Sequence, residues 1–156
     1  MEGPSCRVVT LREITRQTVR EVCRLSDALL EHQKRMVAPN AVSIAQAHFD
    51  PKAWFRAIYA DEQPVGFVMI YDDPGNADYY LWRFMISGPH QGHGYGRRAL
   101  ELVLDYIRSR PNAAEVKLGY VPIDGNPGPF YRKLGFVPTG EISDGEVVMR
   151  YRFAQD

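Results

Sequence analysis

The spacing of apolar residues changes twice along the chain and divides it into three parts. Before about residue 50, apolar residues mostly recur at helical spacing, after one β-branched run over residues 6–12 that predicts a strand. From Trp54 to residue 86 they alternate or run together between turn residues, which predicts β-strands. In the last part, helical and strand patterns alternate.

The first part carries three stretches with helical periodicity. Thr15 is a suitable N-cap for a helix whose apolar residues fall within residues 19–25. A second helix is predicted over residues 29–36. Ser43 is predicted to cap a short amphipathic helix that ends before Asp50-Pro51, because the residue before a proline avoids the helical conformation.

The middle and last parts predict a β meander followed by alternating elements. Residues 54–60 and 65–71 form a hairpin, and residues 79–86 form a third, aromatic strand. Ala99, Leu100, Val103, Leu104 and Ile107 mark one face of a helix of about three to four turns. After it come a strand over residues 116–121, a short helix over 127–134 with Gly135 just past its end, and strands over 136–139 and 147–153 around a turn at 143–145.

Length and composition limit the fold. With 156 residues, 45% of them apolar, the chain can build one core of ordinary size and is too short for two. We therefore expect a single domain, residues 1–156. The order of the elements predicts a mixed α+β fold.

Charge and cysteine content exclude several classes of function. The 19 basic and 19 acidic side chains balance, which argues against a nucleic-acid or membrane-surface partner held mainly by charge. The longest apolar stretch, residues 65–71, is far shorter than a membrane span, and no targeting pattern precedes the first strand, so we expect a cytoplasmic protein. Cys6 and Cys23 have no second ligand at metal-binding spacing, so we expect no metal site.

A glycine-rich segment, Gln91-Gly92-His93-Gly94-Tyr95-Gly96, separates the third strand from the long helix. Glycines let successive backbone N–H groups turn toward one point, and the helix adds its positive N-terminal end, so the segment suits a phosphate. It lacks the Gly-x-x-x-x-Gly-Lys-Ser/Thr of nucleotide hydrolases, and its spacing departs from the dinucleotide fingerprint. Taken alone, it also suits a glycine turn that only caps a helix.

A second motif, residues 126–136, reads Asn-Pro-Gly-Pro-Phe-Tyr-Arg-Lys-Leu-Gly-Phe. Together, the Gln-x-x-Gly-x-Gly of the glycine segment and the Tyr-x-x-x-Gly-Phe of this motif resemble, in order and separation, two segments of the GNAT acetyltransferases. The resemblance is sharp from about residue 79 to residue 153. Residues 37–41, 57–60 and 71–74 are also similar to a bacterial subgroup of diamine or spermine/spermidine acetyltransferases.

The resemblance implies a fold and a co-substrate, acetyl-CoA. The GNAT sheet is splayed between its fourth and fifth strands, here residues 79–86 and 116–121, and the exposed edge can bind the amide arm of acetyl-CoA. The resemblance implies that backbone groups of Phe84, Met85 and Ile86 pair with this arm. It assigns the pyrophosphate to Gln91, Gly92, His93, Gly94, Tyr95, Gly96, Arg97 and Arg98, with His93 acting through its backbone.

Tyr131 is the candidate catalytic acid. Acetyl transfer to an amine expels the coenzyme A thiolate, which needs a proton donor. Tyr131 occupies the tyrosine position of the second motif, although a half-buried aromatic with only a packing role fits the pattern too. Family members often place an asparagine about seven residues before this tyrosine. Asn126 is five residues before it, so Asn126 either contacts the arm or only caps the next helix.

No spacing identifies the base that removes the proton of the amine. The candidates are Glu31, Asp72, Asp73, Asp78 and Tyr80, and a backbone carbonyl with water is the alternative. Several carboxylates in one groove would suit a polyamine. The aromatic residues Trp54, Tyr79, Tyr80 and Trp82 would instead hold a cation or an apolar amine.

The sequence therefore predicts an N-acetyltransferase that moves the acetyl group of acetyl-CoA to a primary amine of a small molecule by direct attack in a ternary complex. A polyamine or diamine is the favoured acceptor. Two alternatives stay open, a catalytically idle acyl-CoA-binding module and a protein or peptide N-acetyltransferase. The resemblance also implies a homodimer.

Overall fold

The computed structural model describes residues 7–154, which contain one seven-stranded sheet. The strands are β1 (Val9–Arg12), β2 (Ala53–Ala60), β3 (Gln63–Asp73), β4 (Asp78–Ile86), β5 (Glu115–Tyr120), β6 (Val137–Ser143) and β7 (Glu146–Arg152). Their order in the sheet is β1-β2-β3-β4-β5-β7-β6. Neighbouring strands run antiparallel except for β4 and β5, which are parallel.

Helices cover both faces of the sheet. They are α1 (Val19–Leu25), α2 (Asn40–His48), α3 (Tyr95–Arg108) and α4 (Gly128–Lys133). Alternate residues of β3 point to opposite faces, so Val68 and Ile70 pack in the core cluster with α3, while Phe67 and Met69 pack in the cluster with α1. No helix within residues 7–154 is both long and apolar enough to cross a membrane.

The splay of the sheet is confirmed. Strands β4 and β5 pair only through Tyr80 with Lys117 and Leu81 with Leu118. Beyond these pairs the two strands separate, which leaves the C-terminal half of β4 without hydrogen bonds to β5. The α+β fold, the meander of β2 to β4 and the long helix α3 are confirmed as well.

The predicted helix over residues 29–36 does not form. The segment contains a single 3₁₀ turn, Gln33–Arg35. The side chain of Gln33 accepts a hydrogen bond from the Leu30 amide at 3.2 Å, which competes with helical pairing. Apolar residues that share helical spacing here, such as Leu29 and Met36, line a cavity instead of packing as one helical face.

Two predicted helix starts are displaced. The N-cap of α1 is Thr18, and Thr15 lies at the start of the preceding turn, where its carbonyl accepts the amides of Thr18 and Val19. Helix α2 begins at Asn40, because its amide donates to Ser26 Oγ at 3.0 Å and its side chain donates to the Val22 carbonyl at 2.9 Å. Ser43 is therefore buried inside the helix and does not cap it.

The remaining boundaries differ from the predictions by a few residues. Strand β6 extends to Ser143, and the turn that follows contains Asp144 and Gly145, both with positive φ. Gly135 follows α4 with φ of 108°, as predicted for a residue just past a helix end. The predicted first strand includes Cys6, which lies outside the described residues.

Candidate active site

The splay opens into a cavity of about 790 Å³. One wall is the C-terminal half of β4, and a second is the glycine-rich segment with the first turn of α3. The end of β5 and the start of α4 form a third. The segment that joins α1 to α2, residues 29–39, covers the cavity. A large cleft with a few convergent polar groups is the usual form of a small-molecule site.

Most of the predicted site residues line this cavity. They are Phe84, Met85, Ile86, Gln91, Gly92, Gly94, Tyr95, Gly96, Arg97 and Tyr131. His93, Arg98 and Asn126 are not among the lining residues. The ring of His93 stacks on Tyr95 with centroids 5.5 Å apart, and Arg98 pairs with Glu101 at 3.3 Å.

The glycine-rich segment has the backbone geometry of an anion site. Gly92 and Gly94 adopt φ of 80° and 82°, a left-handed conformation that glycine reaches without strain. Gly94 is the N-cap of α3, and its carbonyl accepts the first helical bond, from the Arg98 amide at 3.2 Å. The amides of the first helical turn therefore have no intrahelical partner, and no side chain of the described residues caps them.

Gln91 links this segment to the cover of the cavity. Its Nε2 donates to Gln33 Oε1 at 2.9 Å, and Gln33 Nε2 donates to Gln91 Oε1 at 3.1 Å. We call this reciprocal contact the Gln33–Gln91 pair. Gln91 Nε2 also donates to the Ile86 carbonyl at 2.9 Å, so one side chain connects the end of β4, the glycine-rich segment and residues 29–39.

Tyr131 lies on α4 at the wall of the cavity. Its side chain is packed between Phe130 and Phe136, with ring centroids 5.4 Å and 5.7 Å away, and only 7% of the residue is exposed. Burial raises the pKa of Tyr131 well above its ordinary value, because the phenolate would be poorly solvated. Within residues 7–154 the hydroxyl has no hydrogen-bond partner in the protein, so the phenol is a neutral donor open to a ligand.

Asn126 makes only local contacts. Its Oδ1 accepts the Gly128 amide at 2.9 Å, and its Nδ2 donates to the Ile123 carbonyl at 2.9 Å. The N-cap residue of α4 is Pro127. Asn126 therefore organises the entry to α4 in the way expected of a cap, and its predicted contact with the arm of acetyl-CoA stays a prediction.

The carboxylates considered as bases lie away from the cavity. Asp72 accepts hydrogen bonds from Tyr106 and Arg110, and Asp73 binds Lys52 and Asn76. Glu31 is exposed beside Lys34, and Asp78 is exposed at the start of β4. Among the aromatic candidates, Trp82 lines the cavity, whereas Trp54 stacks on Tyr106 and Tyr79 donates to the Pro111 carbonyl.

Glu146, the first residue of β7, is a cavity residue that sequence reasoning missed. A Cβ on Gly119 of β5 would lie 2.5 Å from Glu146 Oε2 and 2.7 Å from the Tyr80 hydroxyl, so both groups cover this glycine. The signal in the sequence was a glycine inside a predicted strand, which often marks a close approach of another group. Arg83 also lines the cavity and was also missed. No three His, Cys, Asp or Glu side chains in the described part of the chain come close enough to hold a metal ion.

Comparisons with known proteins agree with this geometry. The model of the acetyltransferase (GNAT) family matches residues 20–136. An acetyltransferase from Thermus thermophilus shares 16% identity over 95% of this chain and 99% of that chain, with a TM-score of 0.76. The PaiA N-acetyltransferase from Thermoplasma acidophilum, in complex with coenzyme A, shares 16% identity over 94% and 99%, with a TM-score of 0.68. Arabidopsis thaliana Naa50, in complex with the bisubstrate analogue CoA-Ac-MVNAL, shares 21% identity over 93% and 99%, with a TM-score of 0.67.

These structural likenesses show the fold. Among curated proteins, no sequence matches the chain significantly. The family model covers most of the chain and includes both the glycine-rich segment and Tyr131. The chain therefore belongs to the GNAT acetyltransferase family and is an acetyl-CoA-dependent N-acetyltransferase.

Proposed function

We propose that the chain acts as one domain, residues 1–156, and acetylates the primary amine of a small molecule by direct attack in a ternary complex. One observation carries the proposal. The glycine-rich segment, the unpaired edge of β4, Tyr131 and Glu146 all border the same cavity. These are, in order, groups suited to a pyrophosphate, an amide arm, a leaving thiolate and an attacking amine.

The residues present fit acetyl-CoA. The free amides at the start of α3 and the nearby Arg97 suit the pyrophosphate. Phe84, Met85 and Ile86 lie beyond the last residue of β4 that pairs with β5, so the edge of β4 that faces the splay is available to an amide arm. An arm that runs along β4 from the loop would bring its acyl end toward Leu81 and Gly119, where the strands meet.

Glu146 and Tyr131 take complementary roles in the proposed reaction. Acetyl-CoA supplies the thioester carbonyl that the amine attacks. Glu146 accepts a proton from the amine, since it is the one carboxylate among the described residues that line the cavity. Tyr131 holds a proton on its hydroxyl and donates it to the departing sulfur, a role for which its buried, neutral phenol is suited.

Access to the cavity supports a small acceptor. Residues 29–39 cover the cavity and are tied to the glycine-rich segment through the Gln33–Gln91 pair. This cover restricts the space open to a peptide chain. The cavity has a single described carboxylate, which gives little support to the polyamine or diamine acceptor that the sequence resemblance favours.

An amine panel tests the proposed function. Thiol release from acetyl-CoA is measured with polyamines, amino acids, aminoglycosides and peptides, and the products are identified by mass spectrometry. We expect a small amine to be acetylated. Binding of acetyl-CoA without turnover on any amine would favour the idle module, and turnover on peptides alone would favour a protein N-acetyltransferase.

Glu146→Gln tests the base. We expect kcat to fall by roughly 10²–10⁴, with the Kd of acetyl-CoA unchanged, because the variant keeps the shape but cannot accept the proton. Asp144→Asn is the matched control, since it removes a carboxylate from the same hairpin at an exposed position where asparagine tolerates the positive φ. Equal activities of the two variants would remove Glu146 from the reaction.

We further propose a homodimer and a cytoplasmic location. Strand β6 is at the edge of the sheet, and its Val137 and Ile142 are 52% and 71% exposed. Exposed apolar residues on an edge strand are suited to pairing with a second copy. Sedimentation of the purified protein measures its oligomeric state.

A further inference from the structure

Arg83 is a partly buried cation of the cavity that the proposed reaction does not use. Its Nη1 donates to the Trp82 carbonyl at 3.1 Å, and its Nη2 donates to the exposed amide of Gln46 at 3.3 Å. Its Nε is buried and has no hydrogen-bond partner in the described part of the chain. No carboxylate of residues 7–154 lies within ion-pair distance of the guanidinium.

The position of Arg83 along β4 separates it from the phosphates of acetyl-CoA. A strand rises about 3.3 Å per residue, so Arg83 lies about 10 Å before Ile86, at the other end of the cavity from the glycine-rich segment. It follows Leu81, the last residue of β4 that pairs with β5, by two positions. Arg83 is therefore close to the point where β4 and β5 part, which is where the proposed course of acetyl-CoA along β4 would bring its acyl end.

Glu146 lies close to the same point, next to β5. Its carboxylate covers Gly119, which directly follows the last β5 residue that pairs with β4. Arg83 and Glu146 line the same cavity. Burial lowers the pKa of the Arg83 guanidinium, and the Glu146 carboxylate partly offsets this effect. They do not form an ion pair, which leaves a gap between a base and a cation.

The other charged side chains that line the cavity are basic. Lys34, Arg35 and Arg97 line it in addition to Arg83, and Glu146 is the one acidic lining residue that the structure describes. A polycation would be repelled by these positive charges and attracted by only one carboxylate. An acceptor with one amine and one anionic group would instead match both Glu146 and Arg83.

We propose that the acceptor carries a carboxylate beside its amine, as an α-amino acid does, with Arg83 binding the carboxylate and Glu146 receiving the amine. A guanidinium binds a carboxylate with well-directed, charge-assisted hydrogen bonds. The inference rests on the proposed function. The ammonium loses one proton through Glu146 to solvent, and the amine nitrogen forms the C–N bond as the C–S bond breaks. Tyr131 gives its proton to the departing sulfur, the nitrogen loses its second proton to solvent through Glu146, and the Tyr131 phenolate takes a proton back from solvent, so the products are the N-acetyl amino acid and the coenzyme A thiol.

The first test compares α-amino acids with their α-carboxamides and with spermidine and putrescine, at saturating acetyl-CoA. We expect kcat/KM of the preferred free amino acid to exceed that of its amide by about tenfold to a hundredfold, the range expected for one charge-assisted contact. Amides that react as well as the acids, or a preference for the polyamines, would overturn the inference and leave the proposed function standing. Failure of every small amine, aminoglycosides included, would remove both.

Variants of Arg83 test its role as the carboxylate anchor. Arg83→Gln is expected to raise the KM of the amino acid by about tenfold to a hundredfold while that of the amide stays unchanged, and Arg83→Lys is expected to restore part of the loss. Arg56→Gln, which removes another strand arginine that donates to the carbonyl of the preceding residue but does not line the cavity, is expected to have little effect on either acceptor. A circular dichroism melt and the Kd of acetyl-CoA show that each variant is folded. An Arg83→Gln effect of equal size on acid and amide would indicate a purely structural role and contradict the inference.

Discussion

The role proposed for Tyr131 depends on one oxygen atom, that of its hydroxyl. Tyr131→Phe keeps the packing against Phe130 and Phe136 but removes the proton donor. We expect kcat to fall by roughly 10²–10⁴ while the Kd of acetyl-CoA stays the same, because an acid acts on the leaving group rather than on binding. Steady-state kinetics and calorimetry measure the two effects.

Tyr106→Phe is the control for this variant. It removes a phenol that is bonded to Asp72 and does not line the cavity, so turnover is expected to be normal. Near-normal turnover of Tyr131→Phe would leave Tyr131 with a packing role only.

The proposed role of Tyr131 as the catalytic acid also predicts how the reaction depends on pH. Burial raises this pKa, so the phenol keeps its proton, and stays a competent acid, above the ordinary tyrosine value of about 10. We expect kcat at saturating substrates to show no decline between about pH 8 and about pH 10. An alkaline limb within that range that disappears in Tyr131→Phe would contradict this assignment.

The position of a site residue could be predicted where a local sequence motif contains it. It could not be predicted where the position depends on the register between two strands. Tyr131 belongs to a sequence-local motif, so its place on α4 follows from its neighbours along the chain. Glu146 reaches the cavity only because β7 pairs with β5 in a register that sets Val148 opposite Gly119. Arg83 lies beside an irregularity in the pairing of β3 and β4, which residue alternation alone does not reveal.

At the scale of elements, the junction between the glycine-rich segment and α3 depends on the conformation of Gly94. A Cβ at Gly94 would meet no atom within 4 Å, so an alanine there suffers only from φ of 82°. We expect Gly94→Ala to lower the free energy of unfolding by about 1 kcal/mol and to weaken acetyl-CoA binding, because the loop relaxes away from its left-handed turn. Denaturant melts and calorimetry measure these effects.

Gly140→Ala provides a matched comparison. Gly140 has φ of 86° and equally open surroundings, but it lies on β6 and does not line the cavity. Gly140→Ala is expected to lower the free energy of unfolding by a similar amount and to leave the affinity for acetyl-CoA unchanged. An unchanged affinity in Gly94→Ala as well would show that the loop conformation is not needed for binding.

Helices and strands could be predicted where the apolar residues that share a periodicity pack together on one buried face. Helix α3 buries one face against the sheet, so its apolar spacing identified it correctly. Residues 29–36 show similar spacing but form the cover of a cavity, where the Gln33 side chain binds the Leu30 amide and the apolar residues do not share one buried helical face. Helix α2 starts earlier than its sequence suggests, because the Asn40 side chain donates a hydrogen bond to the Val22 carbonyl of α1.

At the scale of the whole molecule, the Gln33–Gln91 pair connects the two halves of the site. Gln33→Ala removes two hydrogen bonds between residues 29–39, which cover the cavity, and the glycine-rich segment. We expect acetyl-CoA affinity to fall by about twofold to tenfold per lost contact, although residue 33 lies nearly sixty positions away from Gln91 along the chain. Calorimetry with acetyl-CoA measures the change.

The comparison variant is Gln63→Ala, which loses an exposed contact to Arg7 at the start of β3. Its acetyl-CoA affinity should equal that of the unmodified protein. Equal affinity in Gln33→Ala would mean that the cover and the glycine-rich segment bind their ligands independently.

The order of strands in the sheet was accessible only through the family resemblance. Apolar patterning identifies the strands, but the parallel contact of β4 with β5 and the insertion of β7 between β5 and β6 depend on contacts far apart in sequence. The splay, which creates the cavity, is a property of the assembled sheet.

The incomplete pairing of β4 with β5 has a practical consequence for the purification of this protein. Coenzyme bound along β4 would complete the hydrogen bonding that β5 does not provide, and the native state would gain about 2.7 kcal/mol at a ligand concentration one hundred times its Kd. Batches that retain coenzyme from the expression host would then melt at higher temperatures than stripped batches. Melting temperatures of variants can be compared only when every sample contains the same amount of bound coenzyme.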